Sequence, residues 1–246
     1  TVDGRVVPRQ LVETFDRGEQ APVPILAGFN EGEIRSLRFL APPPPADAAT
    51  YEAEIRTRYG DLADEFLRLY PSSNLAETML LTPRDALYGW TAERLVAKQT
   101  AQGHPSFLYL FNHGYPAANE LGLHAFHAAE IPYVFGSMDR TPPRWPRAPD
   151  TVEETALSDA MMGYWASFAR DGVPTAQGAP QWQAHGADQH YMSFDAAPTP
   201  GTNVMPGMYE LNEAVVCRRR AQGGIAWNWN VGILSPPLPP EAVQCR

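Results

Sequence analysis

Short apolar runs separated by long helical stretches constrain the fold of this chain more than any other feature. Residues 22–29 form a small apolar run bounded by Pro and Gly, and residues 106–111 are mostly aromatic and apolar. Residues 190–194 have the pattern of a third short strand. Such runs predict buried strands. Because helical segments lie between the strands, the connections favour a parallel sheet. The sequence therefore predicts an α/β fold, with a mostly parallel sheet covered by helices.

The helices are predicted from the spacing of apolar residues and from their cap residues. For the helix predicted at residues 80–102, Thr82 is the expected cap, Pro83 occupies the first helical position and Gly103 ends the helix. Four consecutive prolines at residues 42–45 exclude a helix there. The predicted helices cover residues 51–70, 80–102, 151–170 and 208–220.

Composition and charge exclude several classes of protein. With 246 residues and a hydrophobic fraction of 44%, the chain can fill a substantial core. The net charge of −9 argues against nucleic-acid binding. The one dense basic run, Arg218-Arg219-Arg220, is interpreted as the solvated last turn of a helix. No apolar run approaches the ~20 residues needed to span a bilayer.

Two short segments carry the residues best suited to catalysis. Gly28 to Glu33 (Gly-Phe-Asn-Glu-Gly-Glu) presents Glu33 after a predicted strand, and His127 to Phe135 presents His127. In α/β-hydrolases the catalytic triad runs along the chain as Ser, then Asp or Glu, then His. No Ser or Cys precedes Ser36, and Gly-x-Ser-x-Gly does not occur. The sequence therefore predicts a chain that holds the acid and the base without the nucleophile.

Four blocks of sequence, in a fixed order, resemble the type-B carboxylesterase family of α/β-hydrolases. This family includes bacterial para-nitrobenzyl esterases and the cholinesterases. The resemblance runs from residue 1 to about residue 217. The blocks are Val2-Asp3-Gly4, Pro24 through Glu33, Phe126 through Gly136, and Tyr164 through Pro174 followed by Trp182.

The resemblance implies roles for individual residues. Glu33 maps onto the triad acid, His127 onto the catalytic base, and Glu130 onto a buried supporting carboxylate that holds water or backbone; no cofactor or metal is implied. The family usually has Asp where Gly32 stands, which makes Glu31 the rival acid, although its offset from Gly28 is wrong. It usually has Gly where Ala128 stands, and we expect the extra methyl group to narrow the space beside the imidazole.

The resemblance also predicts the organisation of the chain. Residues 1–246 are expected to be the C-terminal portion of a single carboxylesterase domain, with a helical excursion at about 47–102 and a Pro-rich tail at 231–246. The predicted strands are too few for a self-sufficient sheet. We therefore expect an upstream N-terminal portion, with the nucleophile elbow, as the partner. The sequence does not predict the cellular location of the protein, because the first residues carry no signal-peptide pattern.

The predicted function is carboxylic-ester hydrolysis by a Ser-His-Glu triad, with a small-molecule ester as substrate. One alternative is a non-catalytic binding or adhesion module of the same fold, which the retention of both Glu33 and His127 disfavours. Another is an inactive fragment. A metal site at His124, His127 and Glu130 has suitable ligand spacing, but Pro132 limits any helix there.

Several other residues permit two interpretations. Cys217 and Cys245 are either a disulfide that pins the tail or two buried thiols. Trp227 and Trp229 are interpreted as tail packing rather than as a ligand-binding surface. The histidines without a partner pattern are interpreted as surface or structural residues: His113, His185 and His190.

Overall fold

The computed structural model describes residues 2–223 and 231–245. These residues form two compact units. The sheet unit contains residues 2–31 and 92–204, and the helical unit contains residues 32–91 together with the described residues from 205 onward.

The sheet unit is built on four strands: β1 (Leu26–Asn30), β2 (Phe107–Phe111), β3 (His190–Phe194) and β4 (Pro198–Thr202). They lie in the order β1-β2-β3-β4. β1, β2 and β3 run parallel to one another, and β4 pairs with β3 in the antiparallel direction. This mostly parallel sheet, flanked by helices, confirms the predicted α/β class and is consistent with part of an α/β-hydrolase fold.

Two details of the sheet differ from the prediction. The strand expected at residues 22–29 begins at Leu26 and extends to Asn30. Pro22 and Pro24 have no N–H group to donate, which explains the later start. The antiparallel strand β4 was not predicted, because its Pro-Thr-Pro-Gly-Thr sequence lacks apolar alternation; prolines are tolerated in such an edge strand.

Gly28 allows β1 and β2 to approach each other closely. It lies opposite Tyr109 in the register. A Cβ atom at Gly28 would lie 2.3 Å from two ring atoms of Tyr109 and 2.4 Å from its carbonyl oxygen. Only glycine fits at this position, which explains its place in the Pro24–Glu33 block.

The long helices largely follow their cap residues. The predicted helix at 151–170 is confirmed: the Thr151 hydroxyl accepts a hydrogen bond from the Glu154 backbone N–H (3.3 Å), and Gly172 ends the helix with φ +73°. In chain order the helices of the described residues are α1 (Leu11–Asp16), α2 (Ala48–Tyr59), α3 (Ala63–Leu69), α4 (Leu75–Arg84), α5 (Trp90–Ala101), α6 (Pro116–Glu120), α7 (Ile131–Val134), α8 (Val152–Asp171) and α9 (Met208–Ala221).

Two helix predictions were wrong in detail. The helix expected at 51–70 is divided at Gly60, whose φ of +57° interrupts it between α2 and α3. The helix expected at 80–102 starts earlier, at α4, because Asn74 caps it by accepting a hydrogen bond from the Glu77 N–H. Pro83 therefore lies inside α4 rather than at a first helical position. A π-helical turn, Asp85–Gly89, then leads into α5.

Each unit has its own hydrophobic core. In the sheet unit, aromatic rings dominate, as in the edge-on contact of Tyr164 with Trp182 at 5.4 Å between centroids. In the helical unit, Tyr59 contacts Phe66 at 4.2 Å, and α9 adds Leu211 to the same cluster. Aromatic pairs of this kind stabilise a core beyond the area they bury.

The arginine run at the end of α9 corrects a further prediction. Arg218 is only 4% exposed, and its guanidinium donates two hydrogen bonds of 2.7 Å to the Asp61 carboxylate. Arg219 is also buried and donates to the Ser235 hydroxyl. The run does end a helix, but its first two residues are partnered and buried rather than solvated.

The C-terminal segment resolves one of the open interpretations. Cys217 and Cys245 form a disulfide, with 5.8 Å between their Cα atoms. Trp227 and Trp229 lie outside the described residues. Within the part of the chain that the structure describes, no helix is long and apolar enough to cross a membrane.

Candidate active site

Polar side chains gather where the parallel strands of the sheet unit end. Asn30 is the last residue of β1, and Asn112 and His113 follow β2. The backbone continues the ladder past the strands: the Glu31 N–H donates to the Phe111 carbonyl at 2.9 Å. This carboxyl edge is where open α/β sheets place their functional groups.

His127 lies on a loop of turns that leads into α7. Its neighbours Phe126 and Ala129 are buried, whereas His127 is exposed. The Ala129 N–H donates to the Phe126 carbonyl at 2.9 Å, and the Phe126 ring packs edge-on against Trp145 at 5.0 Å. The loop is therefore anchored in the core while it presents the imidazole to the outside of the unit.

Ala128 has a left-handed backbone conformation, with φ +68°. Glycine adopts this conformation without the steric cost that a Cβ atom brings. This accounts for the glycine that is usual at this position in the resembling family. The sequence predicted only a steric effect of the extra methyl group. The structure shows in addition that Ala128, directly after His127, has a strained backbone conformation.

Asn30 connects the end of β1 to both sides of His127. Its side-chain amide donates to the Phe126 carbonyl oxygen at 2.8 Å and to a Glu130 carboxylate oxygen at 2.5 Å. Asn30 is 1% exposed. The structure thus brings Glu130 to the strand end beside His127, where it accepts from a side-chain amide; its supporting role in catalysis stays a prediction.

A second polar cluster, which the sequence did not predict, holds α7, the helix that follows the His127 loop. The Glu154 carboxylate is 5% exposed and accepts hydrogen bonds from the Tyr133 hydroxyl (2.5 Å) and from His113 Nε2 (3.0 Å). Burial, followed by the hydrogen bond to Glu154, raises the pKa of Tyr133. The hydroxyl therefore stays a donor throughout the neutral range.

A sequence signal for this cluster was available. Glu154 precedes Leu157 by three positions and Met161 by seven, so it lies on the buried stripe of α8. A carboxylate on an apolar stripe needs polar partners. His113 is one of them, which supports its interpretation as a structural histidine.

Glu33 lies in the helical unit and is 5% exposed. The next residue, Ile34, is buried, and Arg35 forms an ion pair with Glu77 of α4. The rival acid Glu31 belongs to the sheet unit and is less buried than Glu33. Glu33 and His127 belong to different units, and their hydrogen bond stays a prediction.

Tyr88 is a neighbour of Glu33 that the sequence did not reveal. Burial raises the pKa of Tyr88, and the negative charge of Glu33 raises it further. Tyr88 belongs to the π-helical turn Asp85–Gly89, and such turns are frequent at functional sites. Within the helical unit, Glu33 therefore faces a phenol as well as apolar packing.

The described residues contain no group of three or more His, Cys, Asp or Glu side chains arranged to hold a metal ion. Of the three residues considered as ligands, His124 and His127 are exposed, and the Glu130 carboxylate bonds Asn30.

Comparison with known proteins adds to this geometry. A family model described as the carboxylesterase family matches residues 1–212. The chain belongs to the carboxylesterase family. The matched range contains the sheet, the His127 loop and the Glu33 segment.

Individual members of the carboxylesterase family match most of the chain at moderate identity. Acylcarnitine hydrolase of Mus musculus is 27% identical over 243 residues, which cover 85% of this chain and 40% of the relative. Cocaine esterase of Oryctolagus cuniculus is 28% identical, with 81% of this chain and 40% of the relative covered. Para-nitrobenzyl esterase of Bacillus subtilis is 27% identical, with 75% and 36% covered. The chain spans about two-fifths of the length of these relatives.

Proposed function

We propose that the complete protein hydrolyses carboxylic esters with a Ser-His-Glu triad, to which this chain contributes Glu33 and His127. The nucleophilic serine is supplied from outside residues 1–246. The observation that carries the proposal is the exposed His127 on a loop fixed to the end of β1, the strand that Glu33 follows by three residues. Family membership supports the same assignment.

Each residue has a defined part in the reaction. His127 takes the proton of the serine hydroxyl as the serine oxygen attacks the ester carbonyl, and then gives that proton to the departing alcohol. A water molecule attacks the acyl-enzyme by the same route, with His127 again as base. Glu33 holds the imidazole in the correct tautomer and stabilises the imidazolium.

The substrate is proposed to be a small-molecule ester. The relatives described above are named as hydrolases or esterases, which supports this class. Histidine suits the role of the base as a residue type, because an unperturbed imidazole has a pKa of about 6.5, which is close to neutral pH.

The assignment is tested in the complete protein by hydrolysis of para-nitrophenyl acetate. His127→Ala should lower kcat by about 10³-fold or more, and Glu33→Gln by about 10-fold to 10³-fold. His124→Ala and Glu31→Gln are the matched controls, because each removes the same type of group within three residues of its target. A larger loss in a control than in its target would contradict the assignment.

A second test uses the 246-residue chain alone. It should not hydrolyse para-nitrophenyl acetate faster than free imidazole does, because the proposed nucleophile is not part of it. Turnover above that rate that persists in His127→Ala would show that another group in this chain performs the reaction.

A further inference from the structure

The Asn30 side chain touches both the backbone before His127 and the carboxylate after it. Its Nδ2 atom lies 2.8 Å from the Phe126 carbonyl oxygen and 2.5 Å from a Glu130 carboxylate oxygen. Phe126 immediately precedes His127, and Glu130 follows it by three positions. One amide group therefore spans the turn that carries the imidazole.

The orientation of this amide is determined by its partners. The Phe126 carbonyl can only accept a hydrogen bond, and an ionised Glu130 can only accept as well. The NH₂ group of Asn30 must therefore face both, and its two hydrogens are both used. Hydrogen bonds to an ionised carboxylate are shorter and stronger than neutral ones, in keeping with the 2.5 Å separation.

The turn that carries the imidazole needs support from outside itself. Residues 127–130 are turns, outside any helix or strand. Ala128 adopts φ +68°, which costs about 1–2 kcal/mol for a residue with a Cβ atom. A strained conformation persists only where surrounding contacts over-determine it. The two bonds from Asn30 supply such contacts on both sides of Ala128.

From these contacts we propose that Asn30 is a positioning residue that fixes the direction of the His127 imidazole through Phe126 and Glu130. This inference rests on the proposed function, in which His127 is the base. Asn30 is 1% exposed, so it acts through the loop rather than through contact with the ester. A displacement of about 1 Å at a reacting group can lower the rate about 10²-fold, which sets the size of the expected effect.

The test compares Asn30→Ala with Asn112→Ala in the complete protein. Asn112 stands at the end of the neighbouring strand and accepts a hydrogen bond from Ser193 at 2.8 Å, so its removal is a matched loss of one strand-end amide. Asn30→Ala should lower kcat about 10-fold to 100-fold with KM changed less than threefold. Asn112→Ala should lower kcat at least threefold less than Asn30→Ala does, because its partner Ser193 belongs to β3 and not to the turn that carries His127.

An exchange of donor and acceptor separates positioning from a general structural role. Asn30→Asp places a carboxylate against the Glu130 carboxylate and should lower kcat at least as much as Asn30→Ala. Glu130→Gln alone keeps an acceptor oxygen for Asn30 and should therefore lower kcat less than Asn30→Asp does. In the double variant, the new amide at position 130 can donate to the new carboxylate at position 30. Its kcat should recover in part, about threefold relative to Asn30→Asp, because the reversed pair restores the bond to position 130 while the Phe126 carbonyl stays without a donor.

Each outcome decides the inference. Equal kcat in Asn30→Ala and Asn112→Ala, or losses in Asn30→Asp and Glu130→Gln that merely multiply in the double variant, would overturn it. A change in KM with kcat unchanged would also overturn it. If His127→Ala keeps full activity, the proposed function fails instead. Thermal unfolding of every variant shows whether it is folded. If a single variant at position 30 does not fold, the kcat of Glu130→Gln is compared with the kcat of the double variant.

Discussion

The loop that carries His127 and the segment that carries Glu33 are held in place by different physical means. The His127 loop belongs to the sheet unit and is fixed by buried polar groups, Asn30 on one side and Glu154 on the other. The Glu33 segment belongs to the helical unit, where Ile34 is buried and Arg35 forms an ion pair with Glu77. These contacts are thus mainly hydrogen bonds beside the proposed base, and apolar burial with an ion pair beside the proposed acid.

This difference has a practical meaning for mutation. A hydrogen bond fixes direction and leaves a costly unpaired group when one partner is removed. Apolar burial is non-directional and scales with the area and volume removed. Substitutions near His127 should therefore change the direction of side chains, and substitutions near Glu33 should change the packed volume. The losses in free energy of unfolding can be of similar size.

The largest expected effect comes from β1, which precedes the Glu33 segment along the chain and bonds the His127 loop through Asn30. Gly28→Ala should lower the free energy of unfolding of the complete protein by about 3 kcal/mol or more, because the added Cβ would lie 2.3 Å from the Tyr109 ring. Chemical denaturation measures the loss. Gly186→Ala is the control, since the nearest atom there is 4.0 Å away. Equal stability of the two variants would refute the close approach of β1 and β2.

The second-largest effect is expected at Ile34, the buried apolar residue that follows Glu33. Ile34 is 1% exposed, and Ile34→Ala should lower the free energy of unfolding by about 3 kcal/mol through lost burial and a cavity. Phe39→Ala removes a larger side chain that is 81% exposed, and its effect should stay below about 0.5 kcal/mol. Denaturant midpoints of the two variants give the comparison, and a similar loss in both would contradict anchoring by burial.

The polar anchor of the His127 loop should be nearly as sensitive. Glu154→Ala leaves the buried Tyr133 hydroxyl and His113 imidazole without their acceptor, at a cost of about 2–3 kcal/mol. Glu153→Ala removes an exposed carboxylate from the same first turn of α8 and should cost about 0.5 kcal/mol. If the two variants unfold at the same denaturant concentration, Glu154 is not an anchor.

Alkaline pH should weaken both units alike. Burial raises the pKa of Tyr164 in the sheet unit and of Tyr59 in the helical unit to about 12. An unfolded tyrosine releases its proton near pH 10, so this stability is present below about pH 10 and is lost as pH rises to about 12. Each residue contributes at most about 1.4 kcal/mol per pH unit.

The pH dependence is measured by urea denaturation at pH 9, 10 and 11. Tyr164→Phe and Tyr59→Phe should each reduce the slope of stability against pH above pH 10. A wild-type stability that does not fall over this range would show that neither phenol is held neutral by burial.

The smallest expected effect is a gain in stability within the His127 loop. Ala128→Gly relieves the φ of +68° and should raise the free energy of unfolding by about 0.5–1 kcal/mol. Ala129→Gly, at the buried neighbour whose φ is not positive, should instead lower it by about 1 kcal/mol. Thermal unfolding of the two variants shows whether each change in stability is a gain or a loss. If both variants gain or both lose stability, relief of backbone strain does not explain the effect of Ala128→Gly.

Features with short-range causes were predictable from the sequence. Thr151 and Gly172 mark the ends of α8 because a cap acts within three residues of itself. The predicted start at Thr82 and Pro83 is not used, because Asn74, a cap that the sequence did not predict, begins α4, and Pro83 lies inside that helix. Thr82 instead bonds the Thr78 carbonyl one turn back, as a hydroxyl inside a helix does.

Features with distant partners could not be predicted. Arg218 is buried because Asp61 lies beside it, 157 positions away in the sequence. Asn30 meets Glu130 across 100 positions. No periodicity or cap pattern contains these pairings, since they depend on how the whole chain folds. The positions of Glu33 and His127 along the chain were informative only because the surrounding blocks resemble a known family.

The bond between Asn30 and the His127 loop has a consequence for the order of folding. It closes a loop of about 100 residues, and contacts of such high sequence separation form late because the chain entropy must be overcome first. β1 and β2 are separated by a similar length of chain, and we expect their pairing to bring Asn30 towards Phe126. We therefore expect refolding protein to regain helical content well before it regains turnover, with the imidazole among the last groups to become oriented.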